Sequence, residues 1–232
     1  MFLSGLLAAA VLAAGCVSAQ AAPVLGQGTW EAKLKGRDAN GNEVPLLVSG
    51  APNPALKFVY DTDLNLTWLA DWNVNQQMRW VDAKSWAEGL SYTIGGVVVD
   101  DWRLPSSLNA DASGPCNGNN CTGSEMGHLF YTEGGLSAGQ SILADPPGKL
   151  DDYFTNMQSY VYWSGTEYAP NPNHAWLFYT DTVDGYQNPY AKPYPFYAWA
   201  VRPGQIAAVP EPATLLLLGL GLAGLGAMRR RG

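Results

Sequence analysis

Between two apolar ends, the chain from 22 to 208 holds only short apolar segments, mostly aromatic and broken by glycine or proline. That pattern excludes a helical bundle, which needs long amphipathic periods. The core has to come from nine Trp and 12 Tyr set among 26 Gly and 16 Pro, a mixture that suits a turn-rich β or α+β domain. Charged residues make up 14%, against about a quarter in ordinary soluble domains. The net charge is −7, and no basic run interrupts the body, which argues against nucleic-acid binding. A body of this size needs one domain only, by the usual ~100–200 residues per domain.

The two ends read as addresses. Residues 1–21 carry no charge, and Leu6 to Val17 is an apolar stretch followed by Ser18-Ala19-Gln20-Ala21, which fits a signal-peptidase site. Cys16 after Ala13-Ala14-Gly15 keeps a lipoprotein signal open as the alternative. At the other end, Pro210-Glu211-Pro212 precedes 16 apolar residues, Ala213 to Met228, and then Arg229-Arg230-Arg231. As a helix that run is about 24 Å long at 1.5 Å per residue, a short span whose arginines hold it on the cytoplasmic side. The tail resembles the PEP-CTERM sorting signal of Gram-negative bacteria that make extracellular polysaccharide. That resemblance implies transient inner-membrane insertion and cleavage by an exosortase, with release to the cell surface or matrix. The Gly219 to Gly224 string matches a dinucleotide fingerprint in letters only, because no βαβ unit follows it. Cutting before Pro210 removes three of 13 basic and one of 20 acidic residues, leaving 10 against 19 and a charge of −9.

Within the body, Thr29 to Arg37 alternates as a half-buried strand, with Trp30, Ala32 and Leu34 inward and Lys33, Lys35 and Arg37 outward. Asn40-Gly41 signals a hairpin, and 50–54 reads as a loop. Phe58 to Leu69 reads as strand, turn and strand. Met78 to Leu90 carries Trp80, Ala83, Ala87 and Leu90 at helical spacing, with Gly89 near the C-cap. Ser124 is a good N-cap for a second helix ending at Gly134-Gly135. Strands are expected at Val161 to Trp163, Ala175 to Tyr179 and Ala198 to Val201.

Several segments in this order resemble a known family: Val59-Tyr60-Asp61, Leu66-Thr67-Trp68-Leu69, Trp80-Val81-Asp82-Ala83, Asp101-Trp102-Arg103-Leu104-Pro105, Tyr162-Trp163-Ser164, Ala175-Trp176 and Ala200-Val201-Arg202-Pro203. They are similar to the domain named for the C-terminal region of the Legionella collagen-like protein (Lcl). The resemblance implies a C-type-lectin-like α+β fold with two helices and short antiparallel strands, and binding rather than catalysis. The domain layout is then a signal peptide at 1–21, a strand and hairpin region at 22–58, the Lcl-like domain at 59–205 and the sorting signal at 209–232. An insert from Ser106 to Gly123 and the lack of a collagen-like stalk depart from the family.

Cys116 and Cys121 enclose four residues of that insert, and in an exported protein they read as a disulfide. A catalytic thiol pair, as in formylglycine-generating enzymes, is the other reading. Asp61, Asp63 and Asn65 begin like an EF-hand loop, but Leu66 stands where glycine is needed and Trp72 where glutamate is. A looser Ca2+ site from Asp181, Asp184 or Glu167 stays open beside ordinary turn-capping roles. Ser164, His174 and Asp181 lack a nucleophile elbow, and His128 and His174 read as structural or surface residues. Asp101 and Arg103 share a strand face, which suggests a structural ion pair. Tyr186, Tyr190, Tyr194 and Tyr197, helped by Trp176, form an aromatic loop suited to stacking on sugar rings.

The expectation is an exported, exosortase-processed protein whose partners are signal peptidase, exosortase and an extracellular polysaccharide. It needs no cofactor, with Ca2+ left open. The alternatives are an enzyme acting on extracellular polysaccharide or built on a formylglycine-generating-like scaffold, and a structural matrix protein without a specific ligand.

Overall fold

A computed structural model of the chain describes residues 33–144, 150–181 and 185–206. The signal segment with Cys16, residues 29–32, Asp184 and the whole tail with Pro210, Glu211, Pro212 and Arg229 to Arg231 lie outside them. No helix among the described residues is long and apolar enough to cross a membrane.

The elements in order are β1 (Leu34–Arg37), β2 (Glu43–Val44), β3 (Leu47–Val48), β4 (Ala51–Pro52), β5 (Phe58–Asp61), β6 (Leu66–Leu69) and β7 (Gln77–Met78). Helix α1 (Trp80–Glu88), β8 (Tyr92–Ile94) and β9 (Val97–Val99) follow. Then come α2 (Glu125–Gly127), a π-helical segment (His128–Glu133), α3 (Leu150–Tyr153), β10 (Val161–Glu167), β11 (His174–Tyr179), β12 (Gln187–Ala191), β13 (Phe196–Tyr197) and β14 (Val201–Pro203). The domain is mostly sheet, with short helices, within the expected α+β class.

Two five-stranded sheets carry the fold. The first has the order β14-β6-β5-β1-β2 and is antiparallel throughout. The second has the order β12-β11-β10-β13-β7, with a parallel step between β10 and β13. Strand β1 pairs along all of β5, so the 22–58 region shares a sheet with the domain expected from 59. The β1–β2 turn forms as its Asn40-Gly41 pair suggests: Gly41 has φ +82°, and the Asp38 carboxylate accepts from the backbone N–H of Asn40 and Asn42. Arg37 departs from its outward assignment. It is buried and pairs with Glu43 at 2.7 Å.

The core joins the sheets through tryptophans. Trp199 stacks on Trp72 at 3.7 Å and on Trp68 of β6 at 4.2 Å, while Trp72 meets Tyr162 of β10 edge-on at 5.3 Å. The Trp199 indole N–H donates to the Leu69 carbonyl at 2.8 Å, which satisfies its polar edge in the interior. All three tryptophans are fully buried.

Some local assignments need correction. Ala51–Pro52, read as loop, is β4 of a small hairpin with β3. Of the last strand expected at Ala198 to Val201, only Val201 lies in a strand, β14, while 198–200 links β13 to β14 and seats Trp199. Residues 187–191, read as part of a loop, are strand β12. The second helix starts at the expected Ser124 cap, whose hydroxyl accepts from the Gly127 N–H, and then widens into the π segment. Asp101 and Arg103 do not pair with each other. Arg103 makes a bidentate pair with Glu125, and Asp101 one with Arg202.

Candidate functional site

The aromatic residues singled out from the sequence divide into three places. Tyr190 lies in β12 and Tyr194 in the turn after it, with ring centroids 5.1 Å apart. Tyr190 also meets Phe196 at 5.4 Å, Phe196 meets Tyr160 at 6.3 Å, and Tyr160 meets Tyr197 at 6.2 Å. These rings form one connected strip. Tyr194 and Tyr160 are its open members, 52% and 42% exposed, while Tyr190 and Tyr197 are half-buried. Tyr160 was not expected from the sequence, because it enters from the segment before β10. The strip is braced beneath: Trp163 packs on Phe196 at 5.0 Å and donates its indole N–H to the Met78 carbonyl.

Tyr186 and Trp176 belong elsewhere. Tyr186 precedes β12, four residues and so about 13 Å of strand rise from Tyr190, and packs near Tyr179 at 6.2 Å. Trp176 is only 5% exposed and sits edge-on to Tyr168 beneath the surface. Lys192, beside the strip, lies 4.2 Å over the Trp80 ring and 3.3 Å from Glu167.

The insert closes over the outer edge of the second sheet. Cys116 and Cys121 form the expected disulfide. Between them, Gly118 exchanges two backbone hydrogen bonds with Gln187 of β12, at 2.8 and 2.9 Å. The buried Gln187 side chain donates to the carbonyls of Cys116 and Ser107. The loop thus forms a single β-bridge on the outer edge of β12 at its first residue, Gln187, and blocks edge pairing there. A side chain at Gly127 would collide with the Cys121 carbonyl, so the insert also packs tightly on α2. The pair is a staple by position.

A second cluster joins the two sheets. Asp61 ends β5, Asp63 lies in the turn to β6, and the π segment carries His128 and Glu133. His128 Nε2 is 3.3 Å from Glu133 Oε1 and 3.9 Å from Asp63 Oδ2, and ligand atoms of the three residues lie within 4.8 Å of one another. Lys33 reaches in with its Nζ 2.5 Å from Asp63 and 3.7 Å from Glu133. Glu133 and Asp61 are buried. Asp61 Oδ1 accepts from the N–H of Asp63 and Leu64, whereas Oδ2 has no partner among the described residues. Burial pushes the Asp61 carboxyl above its ordinary range, and the charge of Glu133 adds to this against the Leu64 N–H and His128. The hydrogen bond to Asp63 raises the Lys33 ammonium.

From the sequence, Asp61 and Asp63 suggest a site only as a failed EF-hand start, His128 reads as a structural or surface residue, and Glu133 gives no signal. In an α-helix, positions five apart lie about 140° round the axis, so the His128–Glu133 spacing gave no signal. The π turn, marked by the Gly134 N–H bonding the Leu129 carbonyl at 2.7 Å, brings them together. Such turns occur often at functional sites.

Other groupings weighed from the sequence do not form. Glu167 and Asp181 stand at opposite ends of the β10–β11 pair, whose register runs from Glu167↔Ala175 to Val161↔Tyr179, so they share no Ca2+ site. For the same reason His174 and Asp181 are on the order of 20 Å apart by strand rise, and Ser164 is buried in β10. No Ser-His-Asp triad exists there. A shallow depression of about 190 Å3 lies beside Asn53, Lys57, Asp71 and Thr155, away from both the strip and the acidic cluster.

Residues 208–231 match the PEP-CTERM protein-sorting motif. The match implies exosortase-dependent export with a transient membrane-anchored step at the C-terminus. No curated protein and no solved structure matches the chain. The Lcl-like resemblance therefore rests on the sequence segments alone.

Proposed function

We propose that this exported protein is a non-enzymatic binder at the cell surface or in the matrix. It takes a neutral glycan on the strip formed by Tyr160, Tyr190, Tyr194 and Tyr197. The observation that carries the reading is that tyrosines from two separate segments converge into one braced strip with two open rings. Tyrosine presents a flat apolar face and a hydroxyl, the combination that stacks on a sugar ring and bonds its oxygens. Because the rings are held by strands β12 and β13 and by the Trp163 brace, little ordering is needed on binding. A net charge of −9 without the tail repels polyanions, which favours a neutral ligand over a sulfated one. The Lcl-like resemblance points the same way, toward binding.

A glycan-array screen of the purified exported protein, with and without Ca2+, tests the reading. Binding to neutral glycans that Tyr194→Ala weakens supports it. Binding confined to polyanions, or untouched by Tyr194→Ala and Tyr160→Ala together, overturns it.

A further inference from the structure

We propose that Asp63, His128 and Glu133, with Asp61 behind them, form a Zn2+ site in which the Lys33 ammonium substitutes for the metal when none is bound. Imidazole plus carboxylates is a donor set for a borderline divalent ion, whereas Ca2+ takes oxygen donors alone. The spacing fits. Bonds of 2.0–2.1 Å to a tetrahedral centre put neighbouring donors about 3.3 Å apart. His128 Nε2 and Glu133 Oε1 already stand 3.3 Å apart. Asp63 is 3.9 Å from His128 and within 4.8 Å of Glu133. Its oxygen has to close by about 0.6 Å on the first and by up to about 1.5 Å on the second, and its exposed place in the β5–β6 turn leaves room for that.

Asp61 is an independent pointer to a ligand. It is wholly buried, yet its Oδ2 has no hydrogen-bond partner among the described residues. Its other oxygen, Oδ1, accepts from the N–H of Asp63, which ties it to the site. A buried carboxylate oxygen without a partner is expensive, and a divalent cation held by the neighbouring Asp63, His128 and Glu133 offsets its negative charge. Three carboxylates against one ammonium and one imidazole leave the cluster short of positive charge. Lys33 itself is one-third exposed and can swing out to water as the metal enters. Binding would clamp the β5–β6 turn of the first sheet to the π segment, which packs on the second sheet through Phe130 and Phe178.

The test uses the exported protein stripped with EDTA, with thermal unfolding followed as ZnCl2, CaCl2 or MgCl2 is added and zinc counted by equilibrium dialysis. The expected result is one Zn2+ per chain and a zinc-specific rise in Tm, since a ligand for the folded state stabilises it by mass action. Asp63→Ala and His128→Gln should each weaken zinc binding at least tenfold, each variant being read against its own metal-free form. Lys33→Met should tighten it at least tenfold. A zinc effect that is absent, or equally large in Asp63→Ala and His128→Gln, overturns the site. Weaker zinc binding by Lys33→Met overturns the exchange with the ammonium and makes Lys33 a permanent ion-pair partner.

Discussion

Removing the staple of the insert tests how that loop is held. In the double variant Cys116→Ala and Cys121→Ala, the chain keeps its apolar fit at the buried Cys121 position but loses the covalent loop. The two half-cystines are five positions apart. Loop closure over five residues withdraws about 7 cal/mol/K from an opened ensemble, or about 2 kcal/mol at 25 °C. The groups the staple protects are the paired N–H groups of Gly118 and Gln187 and the Gln187 carboxamide on Ser107 and Cys116. Opening of this patch should therefore become easier by about 2 kcal/mol, which is about 30-fold. Native-state hydrogen exchange reads it directly: the amides of Gly118 and Gln187 should exchange about 30-fold faster. Amides that open locally elsewhere, such as those of the β1–β2 hairpin, should not change. Unchanged exchange at Gly118 and Gln187 would refute the reasoning, because the hydrogen bonds alone would then be holding the insert.

Tyr190→Ala and Tyr194→Ala should each weaken glycan binding about fivefold, near 1 kcal/mol per stacked ring, measured by titration calorimetry. The exposed Tyr194 should change Tm least. Asp61→Asn should stabilise the EDTA-stripped protein by about 1 kcal/mol at neutral pH, because the amide keeps the Oδ1 bonds and carries no buried charge. The folded carboxyl lies above the unfolded value of 3.8, so its destabilising effect develops as pH rises through that value and is complete above the folded pKa. Urea titrations should accordingly show the gain at pH 7 and its disappearance below the ordinary carboxylate range. Arg103→Met should cost about 1 kcal/mol in urea unfolding, a modest figure because the guanidinium is over one-third exposed. It also leaves Glu125 with only the Ser106 N–H.

Local signals in the sequence were legible wherever neighbours along the chain decide the structure. The Asp38-to-Asn42 turn and the β5–β6 hairpin formed as suggested, and the helix expected over Met78 to Leu90 formed as the shorter α1, Trp80–Glu88, with Met78 in β7. Long-range choices were hidden. Nothing local says that Arg103 takes Glu125 instead of a near neighbour, or that Tyr160 joins Tyr197 and the Tyr190 group. The acidic cluster failed to register because its geometry depends on one widened helical turn. Trp176 misled for a different reason: alternating aromatic strands look the same whether a ring faces solvent or a second layer, and here Tyr168 covers it. The sorting tail was legible in full, since order and composition are its whole signal.

The tryptophan stack has a consequence for timing. Trp199 closes the core by bonding a carbonyl 130 positions earlier, and β13 and β14 likewise reach back to β7 and β6. A chain emerging N-terminus first exposes Trp68, Leu69 and Trp72 long before anything arrives to cover them. Completing this core has to wait for nearly the whole body, and closing so long a loop is slow compared with local pairing such as that of β5 with β6. During that interval the polypeptide offers naked aromatic strands to its surroundings, the condition under which newly made chains aggregate or recruit chaperones. For a protein that carries an export signal the same delay is useful, because a chain that cannot condense early stays extended enough to be translocated.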